Sequence, residues 1–348
     1  MKRAPLLLLA ALFGIPLFSA ENPGWNPVKA AERLDARALE WKSHPKTQRP
    51  DKTSCISCHS GSPYLFTRPL LGRLLGEREP AEPEKALLAD VALRVSKWSE
   101  VEPWYSYTEE KTKESRGTEA ILNALVLSFR DRASHRKEPS EITRNALENL
   151  WSEQREDGGF SWLHFELAPW ETDGSDVFGA CLAAVAASSA DADESEPFRR
   201  LAAYLRSRSS ESLDLHTRIG ILWASAVRPD LLPEAERRAI LDDVLAIEQP
   251  GGGFRLGDLG SWKRKNQTPD AYATGLVVYV LAHGRDPESK AAVARGLAWL
   301  AAHQESDGGW RAESPNKDRT NDEPLIEGFL SDAASAYAVL ALTAPASP

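Results

Sequence analysis

Two thiols and an imidazole stand within five consecutive residues, Cys55-Ile56-Ser57-Cys58-His59. Two cysteines three apart, followed at once by a histidine, suit covalent attachment of haem: each sulfur adds to one vinyl group and the imidazole ligates the iron. Positions three and four apart share a face of a helical turn, so the spacing predicts both sulfurs and the ring on one side of a porphyrin. A redox-active disulfide would use the same cysteine pair. A structural zinc site fits less well, because no second cysteine pair exists to complete it. The third thiol, Cys181, sits in the apolar run 179–184 and reads as a buried, inert core residue.

The five residues resemble the haem-attachment motif of c-type cytochromes. The resemblance implies one covalent haem c, with Cys55 and Cys58 as thioether anchors and His59 as axial ligand of the iron. Methionine is the common second ligand, but the only Met is Met1. His44, beside Pro45, is the nearest alternative in sequence, and His164 and His216 reach the site only through folding. A centre without a thioether ligand has a lower reduction potential than a Met/His centre.

Haem c is attached outside the cytoplasm, and the N-terminus agrees with that. Lys2 and Arg3 precede an apolar stretch from Ala4 to Phe18, and Ser19-Ala20 supply small residues before Glu21. This order describes a secretory signal over residues 1–20 and a periplasmic or otherwise exported mature chain, with retention as an uncleaved anchor as the lesser alternative. No later segment is long enough to span a bilayer; the longest apolar run, 271–282, is about a dozen residues. The formal charge of −9 is spread along the chain, with no basic stripe to bind nucleic acid.

The elements that must position the motif repeat along the chain. A helix, a glutamine, a short turn and an aromatic recur at Gln154 to Phe160, Gln249 to Phe254 and Gln304 to Trp310. The glutamines are 95 and 55 residues apart, which points to a unit near fifty with a degenerate copy around Tyr204. Residues 140–154 and 288–303 are amphipathic, whereas 176–187, 271–282 and 332–342 are apolar or small nearly all round. Alternation of the two kinds predicts an inner ring of helices wrapped by an outer ring: an all-α fold, an α/α barrel or toroid.

The repeated element resembles the QW repeat of the squalene cyclase and protein prenyltransferase superfamily (terpenoid cyclase fold). The match is best at Gly296 to Leu300, Gln304 and Asp307-Gly308-Gly309-Trp310. It covers roughly residues 115–343 and implies a stabilising role for the glutamine and aromatic. The family's chemistry does not follow. The nearest approach to the Asp-x-Asp-Asp acid is Asp173-Gly174-Ser175-Asp176, which lacks the adjacent pair. Asp242-Asp243 precedes Val244, Leu245 and Ala246, so the Asp-Asp-x-x-Asp metal motif is absent. Only Cys181 is left for a prenyltransferase zinc site. Cyclase or prenyltransferase activity is therefore not expected. Asp173, Asp176, Asp270 and Asp332 read as caps of inner helices, with an active role for Asp173 or Asp176 as the lesser alternative.

The expected division is a signal over 1–20, a cytochrome c-like haem segment over 21–80 and the toroid over 81–348. The haem segment docks on the barrel in this reading. Trp98, Trp104 and Tyr105 would cover part of the porphyrin, and Arg68 and Arg73 would either meet its propionates or lie on the solvated surface. Trp170, Phe178, Tyr272, Tyr279 and Tyr337 line either the core or a pocket for a hydrophobic molecule. The expected function is electron transfer or redox sensing with a partner protein. Haem-dependent oxidation or reduction of an isoprenoid-like substrate is the alternative, and a non-catalytic partner-binding module the third.

Overall fold

The computed structural model describes residues 24–188, 195–209 and 212–344, so the expected signal at 1–20 lies outside the described residues. Helices account for nearly all of the regular structure, and among the described residues strand pairing is limited to isolated bridges. The outer helices are α1 (Pro27–Ser43), α3 (Glu82–Ser96), α5 (Glu141–Ser152), α7 (Glu196–Arg208), α9 (Glu234–Ala246) and α11 (Lys290–Ala302). The inner helices are α2 (Gly61–Leu74), α4 (Glu109–Ala133), α6 (Ser175–Ala187), α8 (Leu215–Val227), α10 (Ala271–Gly284) and α13 (Phe329–Thr343), with the single turn α12 (Pro324–Glu327) before the last. Each inner helix packs on the next, and α13 returns to α2, closing the ring. The chain folds as an α/α toroid.

The two helix kinds follow from their sequences. In α5 the buried residues Thr143, Ala146, Leu147 and Leu150 recur three and four apart and form one stripe. In α10 every residue from Ala271 to Leu281 is buried, because the helix meets neighbours on all sides. Thr108, Asp214 and Asp270 cap α4, α8 and α10 by accepting from the third amide beyond them. Aromatic rings fill the barrel axis. Phe178, Tyr272 and Trp223 are among the largest fully buried side chains, and each such ring stabilises the fold by about 1.5–3 kcal/mol.

The repeated turns pin each outer helix to its neighbour. Gln304 Nε2 donates to Gly308 O (2.8 Å) and to Asn26 O (3.0 Å), while its Oε1 accepts from Asn26 N (2.6 Å). Asn26 caps α1, so this glutamine ties the last outer helix to the first. Gln154 does the same for α7, donating to Gly158 O and Pro197 O, both at 2.9 Å. Gly158, Gly252 and Gly308 all have φ near +90°, with Arg200, Arg295 and Lys29 of the adjoining outer helices pressed against them. At Gly308 a Cβ would stand 2.2 Å from Lys29 O, so only glycine fits. Gln249 departs from this pattern: its Nε2 donates to Ile247 O (2.8 Å) and to Asp258 (3.4 Å), both within its own turn.

Two expectations change. The expected haem segment 21–80, described from residue 24 on, is not docked on a separate barrel but is part of the ring. Helix α2 stands between α13 and α4 in the inner ring, and α1 is its outer partner. The all-round burial of Gly61 to Arg68 is masked in sequence by Arg68, which is neutralised by Asp35 (2.8 Å) and Glu77 (2.6 Å). Of the four aspartates expected as caps, only Asp270 is one. Gly174 occupies the cap of α6, and Asp332 lies within α13 with its carboxylate directed at Arg37 and Ser60.

Candidate functional site

The larger cavities are lined by segments that lead into inner helices, so they share one end of the toroid. Cys55, Cys58 and His59 lie there, in the loop between α1 and α2. This loop is not helical, contrary to the expected helical turn. It is a compact turn with Ser57 in the left-handed region at φ +46°. Ser57 Oγ accepts from the amides of Ser60 and Gly61 (3.0 Å each), and Ser62 N donates to Ile56 O (2.7 Å). A Cβ at Gly61 would lie 2.3 Å from Ile56 O, which makes that position a glycine.

Helices α1, α3 and α4 hold the loop from below. Trp41 Nε1 donates to Cys55 O (2.6 Å), and the backbone amide and hydroxyl of Ser54 both donate to Asp90 Oδ2 (2.8 and 2.7 Å). Buried Arg94 pairs with buried Glu119 and with Asp51 (3.0 Å). The Arg94 and Arg49 guanidinium groups lie 4.4 and 4.5 Å from the Trp104 ring centroid. Trp104 is thus fixed as a wall.

This support brings both thiols and the imidazole to one cavity of about 190 Å³, walled by Trp41, Trp104, Leu122, Leu163 and Phe329. A second cavity of about 320 Å³ adjoins it, lined by Phe165, Trp170, Asn316 and Arg319. His59, Tyr105, Glu171 and Phe329 border both. Burial pushes the Cys55 thiol up to about 12 and Cys58 well above its usual range, so both are neutral. Burial likewise lowers His59 to about 3, leaving a neutral ring. Glu171 is raised to about 7 by burial against the weaker pull of Lys111.

The proton on His59 can be placed. Nδ1 lies 3.0 Å from Ser60 Oγ, and that hydroxyl spends its only proton on Asp332 Oδ2 (2.8 Å). Asp332 is held by Arg37 Nε (2.7 Å). Ser60 therefore accepts from Nδ1–H, and Nε2 carries the lone pair. A ring oriented this way through an outer hydrogen bond is prepared as a metal ligand. Two neutral thiols and an imidazole with a free lone pair border one aromatic-walled cavity, the donor set that covalent haem attachment requires. Among the described residues no cluster of three or more His, Cys, Asp and Glu side chains is arranged to hold a bare metal ion.

Comparison with known proteins gives the fold. No protein-family model and no curated protein matches the chain. Solved structures do match. A heparin-specific unsaturated glucuronyl hydrolase aligns at TM-score 0.56 and 12% identity, over 91% of this chain and 94% of that one. The type II terpene cyclase MstE from Scytonema aligns at TM-score 0.51 and 16% identity, over 92% and 98%. A protein from Actinoplanes aligns at TM-score 0.51 and 15% identity, over 91% and 98%. One toroid thus carries unlike chemistries, and the likeness assigns none of them to this chain.

The other candidates fall into place around the site. Trp104 and Tyr105 border the cysteine cavity, but Trp98 does not; Arg116 stacks on it at 4.6 Å. Arg68 is consumed by Asp35 and Glu77, and Arg73 by Ala133 O (3.2 Å) and His135 (3.0 Å), so neither faces the cavities; Lys46 and Arg319 do. Among the histidines, only His59 borders the two cavities. His44 is bound to Glu323 (2.6 Å), His164 to Asp173 (3.3 Å) and His216 to Tyr272 (2.8 Å). Asp173 and Asp176 border a separate, open cavity of about 620 Å³. Asp173 is fully exposed, and Asp176 accepts from Tyr204 Oη (2.9 Å) in the scaffold. Of the five aromatic candidates, Trp170 borders a cavity, while Phe178, Tyr272, Tyr279 and Tyr337 pack the barrel interior. Cys181 is buried, as expected. Glu171 was invisible in sequence: nothing marks one glutamate among many until the loop 163–174 folds over the mouth.

Proposed function

We propose that this is an exported protein carrying one covalent haem c at the mouth of the toroid, and that it serves electron transfer or redox sensing with a partner protein. The observation that carries this reading is the convergence of Cys55, Cys58 and His59 on one aromatic-walled cavity. The bound haem would supply one-electron chemistry. The chain's own residues do the rest. Cys55 and Cys58 would anchor the group, and His59, with Nδ1 held by Ser60, would offer Nε2 to the iron. Trp41, Trp104 and Phe329 would exclude water, and Lys46 and Arg319, paired with Glu323 and Asp322, border the cavities.

A second reading is a haem-dependent oxidoreductase acting on a small hydrophobic molecule. The adjoining 320 Å³ cavity favours it, since Phe165 and Trp170 provide apolar wall and Glu171 a carboxyl able to hold a proton near neutral pH. Cyclase or prenyltransferase chemistry is not favoured: Asp173 and Asp176 share an open cavity, but Asp176 is tied to Tyr204 and Asp173 lies in solvent.

The deciding experiment is an absorption spectrum, oxidised and reduced, of protein exported from cells that attach haem c. Haem that survives denaturation, and that Cys55→Ala/Cys58→Ala lacks, is the expected outcome. Binding of carbon monoxide by the reduced protein would favour the oxidoreductase over electron transfer. Properly exported protein without covalent haem would overturn both readings.

A further inference from the structure

A line of buried rings runs inward from the cavity. Trp170 borders it beside His59, with ring centroids 6.0 Å apart. Trp170 in turn stands edge-on to Tyr272, centroids 5.2 Å apart at 77°. Tyr272, on α10, is fully buried, and its hydroxyl lies 2.8 Å from Nε2 of fully buried His216 on α8. His216 Nδ1 has no partner among the described residues.

That orphan nitrogen helps to place the proton. If Tyr272 donates to Nε2, the only unsatisfied group is the Nδ1–H. If Nε2–H donated to the phenol instead, both the Tyr272 hydroxyl proton and the Nδ1 lone pair would be stranded. One stranded group costs less than two, so the phenol is the donor. Burial lowers His216 to about 4 and holds Tyr272 well above its usual range, so the pair is neutral at ordinary pH. A neutral phenol hydrogen-bonded to a neutral imidazole has its proton acceptor already within transfer distance.

We propose that Trp170, Tyr272 and His216 form a one-electron relay leading inward from the His59 cavity, in which Tyr272 is oxidised as its phenolic proton passes to His216. The oxidant is a high-potential one-electron metal complex at the cavity mouth, such as a ruthenium(III) polypyridyl complex supplied from outside. The oxidant gains one electron by way of the Trp170 ring. The Tyr272 O–H bond breaks and an N–H bond forms at His216 Nε2. A neutral tyrosyl radical and an imidazolium remain, and one electron from a donor restores the pair as the proton returns. An oxidised phenol is strongly acidic, and a buried radical cation is costly. The fixed acceptor passes the charge to His216, and because an oxidised phenol is a far stronger acid than imidazolium the transfer runs to the ring even though burial lowers it. Tyr107, by contrast, is 67% exposed and gives up its proton to water.

The relay shares His59's cavity with the haem reading but does not depend on it, so the test uses the external oxidant. Haem content is recorded first, and failure of attachment then counts against the haem reading alone. The protein, with the two outer phenols removed as Tyr105→Phe/Tyr107→Phe, is photo-oxidised with ruthenium(III) polypyridyl. The tyrosyl radical is followed by transient absorption and electron paramagnetic resonance. The expected result is a neutral tyrosyl signal that forms more slowly in D2O, loses most of its yield in Tyr272→Phe and forms more slowly in Trp170→Phe. With 15N-histidine, the radical in protein left unchanged at 272 should show coupling to a histidine nitrogen, a readout that holds even if Tyr272→Phe misfolds. An undiminished signal in folded Tyr272→Phe, or a radical without histidine coupling, overturns the proposal. An unchanged rate in Trp170→Phe removes Trp170 from the relay.

Discussion

The turn at 304–310 and the loop at 55–61 occupy equivalent places, each leading from an outer helix towards an inner one, yet they use their side chains differently. In the first, Gln304 spends its amide on Gly308 and Asn26, Asp307 accepts from Gly309 N (3.0 Å), and Trp310 donates to Leu300 O (2.8 Å). The side chains of its glutamine, aspartate and tryptophan are spent on the scaffold. In the second, Ser57 and Ser60 satisfy the backbone and orient the ring, so Cys55, Cys58 and His59 are left to line a cavity. A scaffold turn consumes its functional groups, whereas a site loop delegates the scaffold work to serines and a glycine.

The sharpest break of this contrast is Glu119→Ala. It leaves Asp51 as the remaining carboxylate partner of buried Arg94 and should cost about 3–5 kcal/mol in chemical denaturation. Because Arg94 also holds the Trp104 wall, the yield of covalent haem should fall with it. Gly308→Ala should cost about 3 kcal/mol through left-handed strain and collision with Lys29 O, while the absorption spectrum of the remaining folded protein stays unchanged. That pair of outcomes would separate scaffold from site. A variant with identical losses in both readouts would blur them.

Protonation sharpens the contrast further. Glu171 is raised to about 7 in the folded chain, so the folded state holds its proton more tightly than the unfolded one. Its contribution is therefore least unfavourable below the unfolded carboxylate range, and stability is lost as pH rises from there to about 7. Glu171→Gln should flatten this part of the melting profile. The Cys55→Ala/Cys58→Ala protein should lose covalent haem yet change the stability of the haem-free fold by only about 1 kcal/mol. Smallest of all, Asp173→Asn should shift stability by no more than about 0.5 kcal/mol, since its side chain is in water; a large loss of function in that variant would revive a chemical role for it.

Much of the fold was legible because helix burial leaves a periodic trace. The apolar runs at 176–187, 271–282 and 332–342 became α6, α10 and α13, and the amphipathic stretches became α5 and α11. Helix α2 was missed because Arg68 and Pro69 interrupt its apolar pattern, and only the distant partners Asp35 and Glu77 make that arginine tolerable inside. The aspartates misled for a similar reason: a carboxylate before a helix reads as a cap, but Asp332 is claimed by Arg37 from the far end of the chain.

The sequence by itself determined the local chemistry: two thiols three apart with an imidazole beside the second, glycines at the repeated turns, and two kinds of helix that stack in two layers. Tertiary structure decided what those groups face. The tautomer of His59 depends on Ser60 and Asp332, 272 residues apart. The raised carboxyl of Glu171, and the contact between Tyr272 and His216 on separate inner helices, exist only once the ring closes. Burial and long-range pairing are properties of the packed interior, and no spacing along the chain encodes them.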